Sequence, residues 1–225
     1  MHSATKNNYV LTILKEYKQF LRTNFKQLRL GTPLFYRWDF GLRFDLQTEE
    51  TGTNEYFQEV TKRASTIFHS VFDSSDKVFL VYMDYKYKRQ KIRLLNFTFK
   101  QIENLQQTEI SYTKEKQLYE PSDKFDVRNI AIVKLTADRI HHQNILTAIG
   151  NTDFPPRKPR LDNSSIFANK EIYFINIDKK LIFHMYDDRG LDLISADKES
   201  LRSIYEKYND WILDNDREKI QKLFE

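Results

Sequence analysis

The stretch that most limits what this chain can fold into is residues 171–217. Ile172, Phe174 and Ile175 lie in a β-branched and aromatic run of the kind that fits a pleated, half-buried surface. Asp178, Lys179 and Lys180 interrupt it with residues suited to a tight turn. Leu181, Phe183 and Met185 then alternate with Ile182, His184 and Tyr186. Both faces of that strand carry bulk, so a central strand covered on each side is expected. Asp187, Asp188, Arg189 and Gly190 supply the next turn, since Asp bonds the backbone two residues on and Gly tolerates positive φ. Leu191 and Leu193 mark a third strand that ends near Ala196, and Asp197 is placed to cap a helix. Leu201, Ile204, Tyr205, Tyr208, Trp211 and Ile212 recur at helical spacing. The stretch reads as a three-stranded meander closed by one charged helix. If Trp211 is buried between helix and sheet, Trp211→Ala costs about 3–5 kcal/mol.

Upstream, Val10, Leu14, Tyr17, Leu21, Phe25 and Leu28 form the apolar stripe of an amphipathic helix, with Lys15, Glu16, Lys18, Gln19 and Arg22 on its other face. Leu42, Phe44 and Leu46 alternate with Arg43 and Asp45 as in a half-buried strand. Asn54 is a candidate N-cap for a helix carrying Phe57, Val60, Ala64, Ile67, Phe68 and Val71. Residues 78–83 read as a buried strand, which makes a βαβ-like unit. Phe99, Ile102 and Leu105 suggest a short helix, and residues 110–112 a brief strand. Residues 129–135 read as another strand, Thr136 as the cap of a helix over 137–149, and Gly150 as its C-cap. The expected fold class is α+β: a mixed, largely antiparallel sheet with amphipathic helices packed on it. One domain over 1–225 is expected, with an N-terminal helix at 7–28, a β-α-β portion at 40–97, a strand-helix portion at 127–150 and the meander plus helix at 171–225.

The residues Tyr186-Asp187-Asp188-Arg189-Gly190-Leu191-Asp192, followed by Leu201, Tyr205, Tyr208, Asn209, Trp211-Ile212-Leu213-Asp214 and Asp216-Arg217, carry a resemblance. They are similar to the C-terminal signature of an uncharacterised domain-of-unknown-function family found mainly in bacilli. Residues 41–46 and 151–154 resemble further blocks of that family. The resemblance implies a fold and a bacterial origin; it implies no active site.

Composition narrows the function classes. Cysteine is absent, which excludes disulfides and thiolate metal sites. The longest apolar run, residues 78–83, is far shorter than a membrane span, and the N-terminus lacks an apolar signal core. A soluble cytoplasmic protein without cofactor is expected. The 17 Phe and 13 Tyr promise a core built of rings. Net charge is only +4, a weak pull toward anionic partners. Between 187 and 225 acidic residues outnumber basic ones eleven to seven, so an acidic, aromatic C-terminal face is expected.

Candidate site residues follow from these patterns. Asp187, Asp188, Asp192, Asp214 and Asp216 can gather oxygen ligands for a hard divalent cation. Arg189 and Arg217 can instead pair with them as a structural polar latch. With Trp211, these residues form the candidate binding set. Lys86, Lys88, Arg89, Lys91 and Arg93, interleaved with tyrosines, form a basic patch that suits either nucleic acid or the lysine-rich rim of an edge hairpin. Arg157, Lys158 and Arg160 sit in a proline-stiffened connector, and His141-His142 point about 100° apart on a helix, so they cannot face one metal. No catalytic residue emerges. The expected function is a non-enzymatic module that binds another protein, such as an immunity or antitoxin-like partner. The alternative is a metal-dependent hydrolase or nucleotide-handling enzyme using Asp187, Asp188 and Asp192.

Overall fold

The computed structural model describes residues 2–48, 50–85, 91–162 and 170–225, with side chains from residue 12 onward. Its helices are α1 (His2–Phe25), α2 (Asn54–Val71), α3 (His142–Gly150), α4 (Arg202–Lys207) and α5 (Asp214–Phe224). Its strands are β1 (Gly41–Asp45), β2 (Lys77–Tyr85), β3 (Ile110–Lys116), β4 (Val127–Thr136), β5 (Lys170–Asn176), β6 (Leu181–Met185) and β7 (Gly190–Ser195). The strands form one seven-stranded sheet in the order β1-β7-β6-β5-β2-β4-β3. Every pairing is antiparallel, so the fold is α+β at the antiparallel end of the expected range.

The order explains what the helices do. β1 and β2 run in the same direction but have three strands between them, so α2 crosses half the sheet. β4 and β5 also run in the same direction, and β2 lies between them under the α3 crossover. The βαβ-like pattern is therefore real in direction, yet neither pair of parallel strands touches.

Period-two alternation sends successive residues to opposite faces. Val78, Leu80 and Tyr82 of β2, Phe174 of β5 and Phe183 of β6 join α2, α3, α4 and α5 in one core. Phe79, Val81, Met83, Tyr173, Ile175 and Ile182 face the other way, where α1 is the one described helix that contributes. The meander is as expected: β6 is buried on both faces, and residues 177–180 make the turn before it. Leu42 and Phe44 are the buried side of β1, and Leu46 just beyond it is buried too. The α1 stripe proves wider than the spacing suggests, because Ile13 and Phe20 are buried too.

Several local expectations are corrected. Thr53, not Asn54, caps α2, with its hydroxyl accepting from the Tyr56 amide at 3.1 Å. Residues 137–139 make a single 3₁₀ turn, so α3 starts at His142; Gly150 is its last residue and Asn151 its C-cap. Phe99 opens only a 3₁₀ turn, after which Ile102 bridges to Ile140. The charged helix is broken in two. α4 has six residues, a 3₁₀ turn follows at Asn209–Trp211, and α5 begins afresh at Asp214. The break lets Ile212 bridge Phe44, and the Leu213 amide donates to the Arg43 carbonyl at 2.9 Å, covering the outer edge of β1. Asp197 does act as a cap, accepting from the Ser200 amide at 3.2 Å.

Trp211 falls in that 3₁₀ turn and is half-buried, stacked on Tyr208 at 5.1 Å with Arg63 over its face at 5.4 Å. Its truncation is expected to cost about 2 kcal/mol, less than a fully buried ring, whereas Phe183→Ala should cost about 3–5 kcal/mol. Urea midpoints of the two variants against wild type check the ranking.

Candidate functional site

The site grows from one level of the sheet. Register places Arg43 opposite Asp192, and Asp192 opposite His184. Tyr173 stacks on His184 at 4.1 Å. A polar row thus crosses β1, β7, β6 and β5 on the face that also carries Ile194 and Ile182. Such a row needs a lid to satisfy it, and residues 31–38 provide it. The Phe35 amide donates to Asp192 Oδ2 at 3.0 Å, and Thr32 Oγ1 meets His184 Nε2 at 2.8 Å. His184 Nδ1 lies 2.9 Å from the Ile172 carbonyl. A carbonyl only accepts, so in the neutral ring Nδ1 carries the proton and Nε2 accepts from Thr32.

Arg43 is the hub. Its Nε is 3.4 Å from Asp192 Oδ1 and its Nη1 is 3.4 Å from Asp216 Oδ2. Its guanidinium is sandwiched by Tyr36 and Tyr186, at 5.2 and 5.1 Å from the ring centroids. Tyr36 closes the loop by donating to Asp216 Oδ1 at 2.6 Å. This one side chain therefore joins β1, β7, the lid and α5. Burial pushes the Asp192 carboxyl above the ordinary carboxylate range, with the Phe35 amide and Arg43 pulling the other way.

The other candidate carboxylates are also engaged. Asp187 accepts from the Arg189 amide and Nε, both at 2.8 Å. Asp188 accepts from the Tyr56 hydroxyl at 2.6 Å, which ties the β6–β7 turn to α2. Burial, and then Asp187 nearby, pushes the Asp188 carboxyl up. Gly190 has no positive φ, contrary to the expectation. Its role is close approach: a Cβ there would meet the Phe44 carbonyl oxygen at 2.6 Å and collide with the Tyr186 hydroxyl.

The five aspartates do not converge. Among the described residues, the group whose oxygens come within 4.8 Å of one another is Asp153, Asp187 and Asp188. Asp192 and Asp216 belong to Arg43 instead. Asp214 is 92 % exposed and pairs with Arg217 at 3.1 Å. Arg217 also donates to the carbonyls of Asn209 and Ile212, pinning the break between α4 and α5. Of the pairs a latch would use, Arg189–Asp187 and Arg217–Asp214 form, while Asp192 and Asp216 turn to Arg43. Its signal was the lone cation in the otherwise plain alternation of β1.

A cleft of about 670 Å³ opens beside the latch, at the sheet end where β1 and β6 finish and β4 and β5 begin. Arg43, Tyr119, Arg128, Glu171, Tyr186 and Arg189 are among its walls. Glu171 accepts from the Tyr119 hydroxyl at 2.7 Å and from the Tyr173 hydroxyl. Arg128 lies over the rings of Tyr85 and Tyr119, at 5.0 and 4.7 Å, and bonds Asp126 at 3.3 Å. Burial and then Glu171 push the Tyr119 hydroxyl up to about 12. The sequence reading missed this second cation–tyrosine sandwich, because its members lie far apart along the chain.

The remaining candidates are placed as follows. Lys86, Lys88 and Arg89 lie outside the described residues; Lys91 and Arg93 are exposed. Arg157 is consumed by the fold, 3.8 Å over the Phe57 ring and bonded to the Gly52 carbonyl and Asn54. Arg160 is buried and donates to the Thr152 carbonyl at 2.7 Å. His142 stacks on Phe68 at 4.1 Å, and burial, with His69 beside it, pushes it down to about 4. His141 points away, 3.4 Å from Glu103. The eleven-to-seven acidic excess of the tail is largely internal: Asp187, Asp188, Asp192 and Asp216 are all buried.

The fold and latch describe an α+β protein class built on a seven-stranded antiparallel sheet with an internal arginine hub. No helix among the described residues is long and apolar enough to cross a membrane. The model of the Domain of unknown function (DUF3885) family matches residues 17–216, and the chain belongs to that family. It is 27% identical over 205 residues to "Uncharacterized protein YnaE" of Bacillus subtilis (strain 168), covering 86% of this chain and 95% of that protein. No solved structure matches the chain.

Arg43→Ala should cost about 3–5 kcal/mol, because it strands the buried Asp192 carboxylate. Adding Asp192→Asn should restore part of the loss, read as an interaction energy in a double-mutant cycle of urea midpoints. The pH dependence has a definite sign. Asp188 and Asp192 have raised folded values, so the folded chain binds protons before the unfolded chain does. Their contribution is largest below the unfolded value and is lost as pH rises through the folded one. Stability should therefore gain from these two as pH falls toward the ordinary carboxylate range, and Asp188→Asn, which keeps an acceptor for Tyr56, should flatten that gain. Below the ordinary carboxylate range stability should fall, since Asp76 and Asp126 are held low and must then protonate.

Proposed function

We propose that this chain is a non-enzymatic protein-binding module, an immunity or antitoxin-like partner of another protein in the cytoplasm. The observation that supports this reading is where the candidate carboxylates go. Asp187 serves Arg189, Asp188 serves Tyr56, and Asp192 and Asp216 serve Arg43, Phe35 and Tyr36. These bonds hold backbone and rings in place. What they hold up is a rim where Arg189, 64 % exposed, lines the cleft with Leu213 and Asn215, and where Asp214 and Arg217 also reach solvent. Trp211, half-buried, ends the 3₁₀ turn just before that rim.

The rim is not a uniformly acidic face. With four acids buried, the tail shows seven acidic residues against seven basic ones. A partner is recognised there by fitted charge pairs around an aromatic ring more than by a net field. A rigid rim suits such recognition, because little ordering entropy is lost on docking.

The second reading, a metal-dependent hydrolase or nucleotide-handling enzyme, is favoured by the approach of Asp153, Asp187 and Asp188 within 4.8 Å. It requires Arg189 to release Asp187, and it draws nothing from Asp192.

Affinity capture of the tagged chain from its own cells, with cross-linking and mass spectrometry, tests the first reading. A specific partner is expected, lost in the Asp214→Asn/Asn215→Glu variant, whose side chains are exposed, while the unfolding free energy stays within about 0.5 kcal/mol. Recovery of the chain alone at every salt concentration would overturn it. Titration calorimetry with Mg²⁺, Mn²⁺ and Ca²⁺ separates the readings. Binding heat that Asp188→Asn abolishes without loss of stability would favour the metal enzyme.

A further inference from the structure

At the far edge of the sheet from the latch, α1 and β3 enclose a groove of about 730 Å³. Its floor and helical wall are apolar: Met83 and Ile130 lie beneath, and Leu14, Leu21 and Leu28 line the side. Leu14 and Leu28 are only half-buried, so the groove leaves apolar surface in contact with water. Arg29 closes one end, donating to Glu115 Oε1 at 2.8 Å and so tying the chain after α1 to the edge strand.

The rim is what gives the groove a chemistry. Lys15, Lys18 and Arg22 line it, and all three are exposed. Their spacing of three and four residues puts them on one line along α1, next to the apolar stripe. None of the three has a carboxylate partner among the described residues. Elsewhere on the surface some lysines and arginines are paired, Lys62 with Glu59, Lys179 with Asp73 and Arg202 with Glu199. On the same helix, the opposite flank pairs Glu16 with Lys134. Three like charges that no described carboxylate neutralises, beside half-buried leucines, suit an anionic amphipathic occupant, which meets both features at once.

We infer that this groove is a second docking surface, taking an acidic amphipathic helix from a partner protein. The cations run about 10 Å along α1, at 1.5 Å per residue. Carboxylates at i, i+3 or i+4, and i+7 of a facing helix meet them one to one. The leucines of such a helix fill the groove between Leu14 and Leu28, the helix-in-groove mode of recognition. The surface lies near β3, whereas the rim proposed above borders β1, so the two are separable by mutation.

The test uses the full-length chain and two fluorescent peptides of about 18 residues, each with leucines at i, i+3, i+4 and i+7. One carries Glu beside the leucines and the other Lys. Anisotropy titration should show the Glu peptide binding and the Lys peptide not. The variant Lys15→Glu/Lys18→Glu/Arg22→Glu should weaken the Glu peptide by about tenfold or more and gain affinity for the Lys peptide. Its circular dichroism midpoint should match wild type, since all three side chains are exposed. Leu28→Gln should weaken binding independently of salt, whereas the charge contribution should fade as salt rises. Arg189→Glu should leave peptide binding unchanged; a loss there would assign the peptide to the other rim and overturn the inference. Equal binding of both peptides, or no binding of either, would also overturn it. So would co-sedimentation with phosphatidylglycerol vesicles in place of peptide binding, or concentration-dependent self-association reversed by the triple variant.

Discussion

A carboxylate with no exposed surface, Asp192, is the constraint around which this fold is arranged. Removing such a group from water costs several kcal/mol unless donors replace the lost hydration. Here the compensation comes from two directions. The Phe35 amide donates from the segment before β1, and the Arg43 guanidinium sets its charge 3.4 Å from the other oxygen, which accepts no hydrogen bond. Neither group can be in place unless β1 is paired with β7 and the lid is closed. The cost of burying the charge thus becomes a condition on tertiary structure: partly assembled states leave it unpaired. Arg43 extends the condition further, because its second carboxylate, Asp216, lies in α5. Four stretches separated by up to most of the chain are made to agree on one geometry.

The two faces of the sheet are unequal. One is covered by α2, α3, α4 and α5, which fill it with a ring-rich core in which Phe68 alone meets Phe72, Phe174 and Phe183. The other has α1 as its one described helical cover, supplemented by the lid that carries Leu34 and Trp38. A single helix cannot fill the width of seven strands. Part of that face is closed by loops, part carries the polar row, and part remains as grooves along α1. The polar features lie on or beside this thinly covered face because it has room for them.

Much of the architecture was legible in the sequence because it depends on local periodicity. Leu181 to Tyr186 carries bulk on both faces, and the strand is central. Leu42, Phe44 and Leu46 alternate, and one side of β1 is buried. Where the reading erred, local signals competed. Trp211 and Ile212 continue the helical spacing of Leu201 and Ile204, yet the chain leaves the helix at Tyr208. Ile212 gains more as a bridge to Phe44 than as another turn, and Arg217 satisfies the carbonyls the break exposes. Gly190 looked like a turn glycine; the reason for it is the Phe44 carbonyl, which belongs to another strand.

By itself the sequence determined the class of fold and the meander with its turns, and it offered arginines as one set of partners for the acidic residues of the tail. Those properties are written in neighbours a few residues apart, where side-chain period and turn chemistry act directly. Tertiary structure alone decided which arginine, since Arg43 and Asp192 are nearly 150 residues apart and become neighbours only through the β1–β7 register. It also decided which carboxylates reach water and, among the described residues, which cations meet a carboxylate. Coulomb energy depends on distance in space and on burial, and neither is a property of position along the chain.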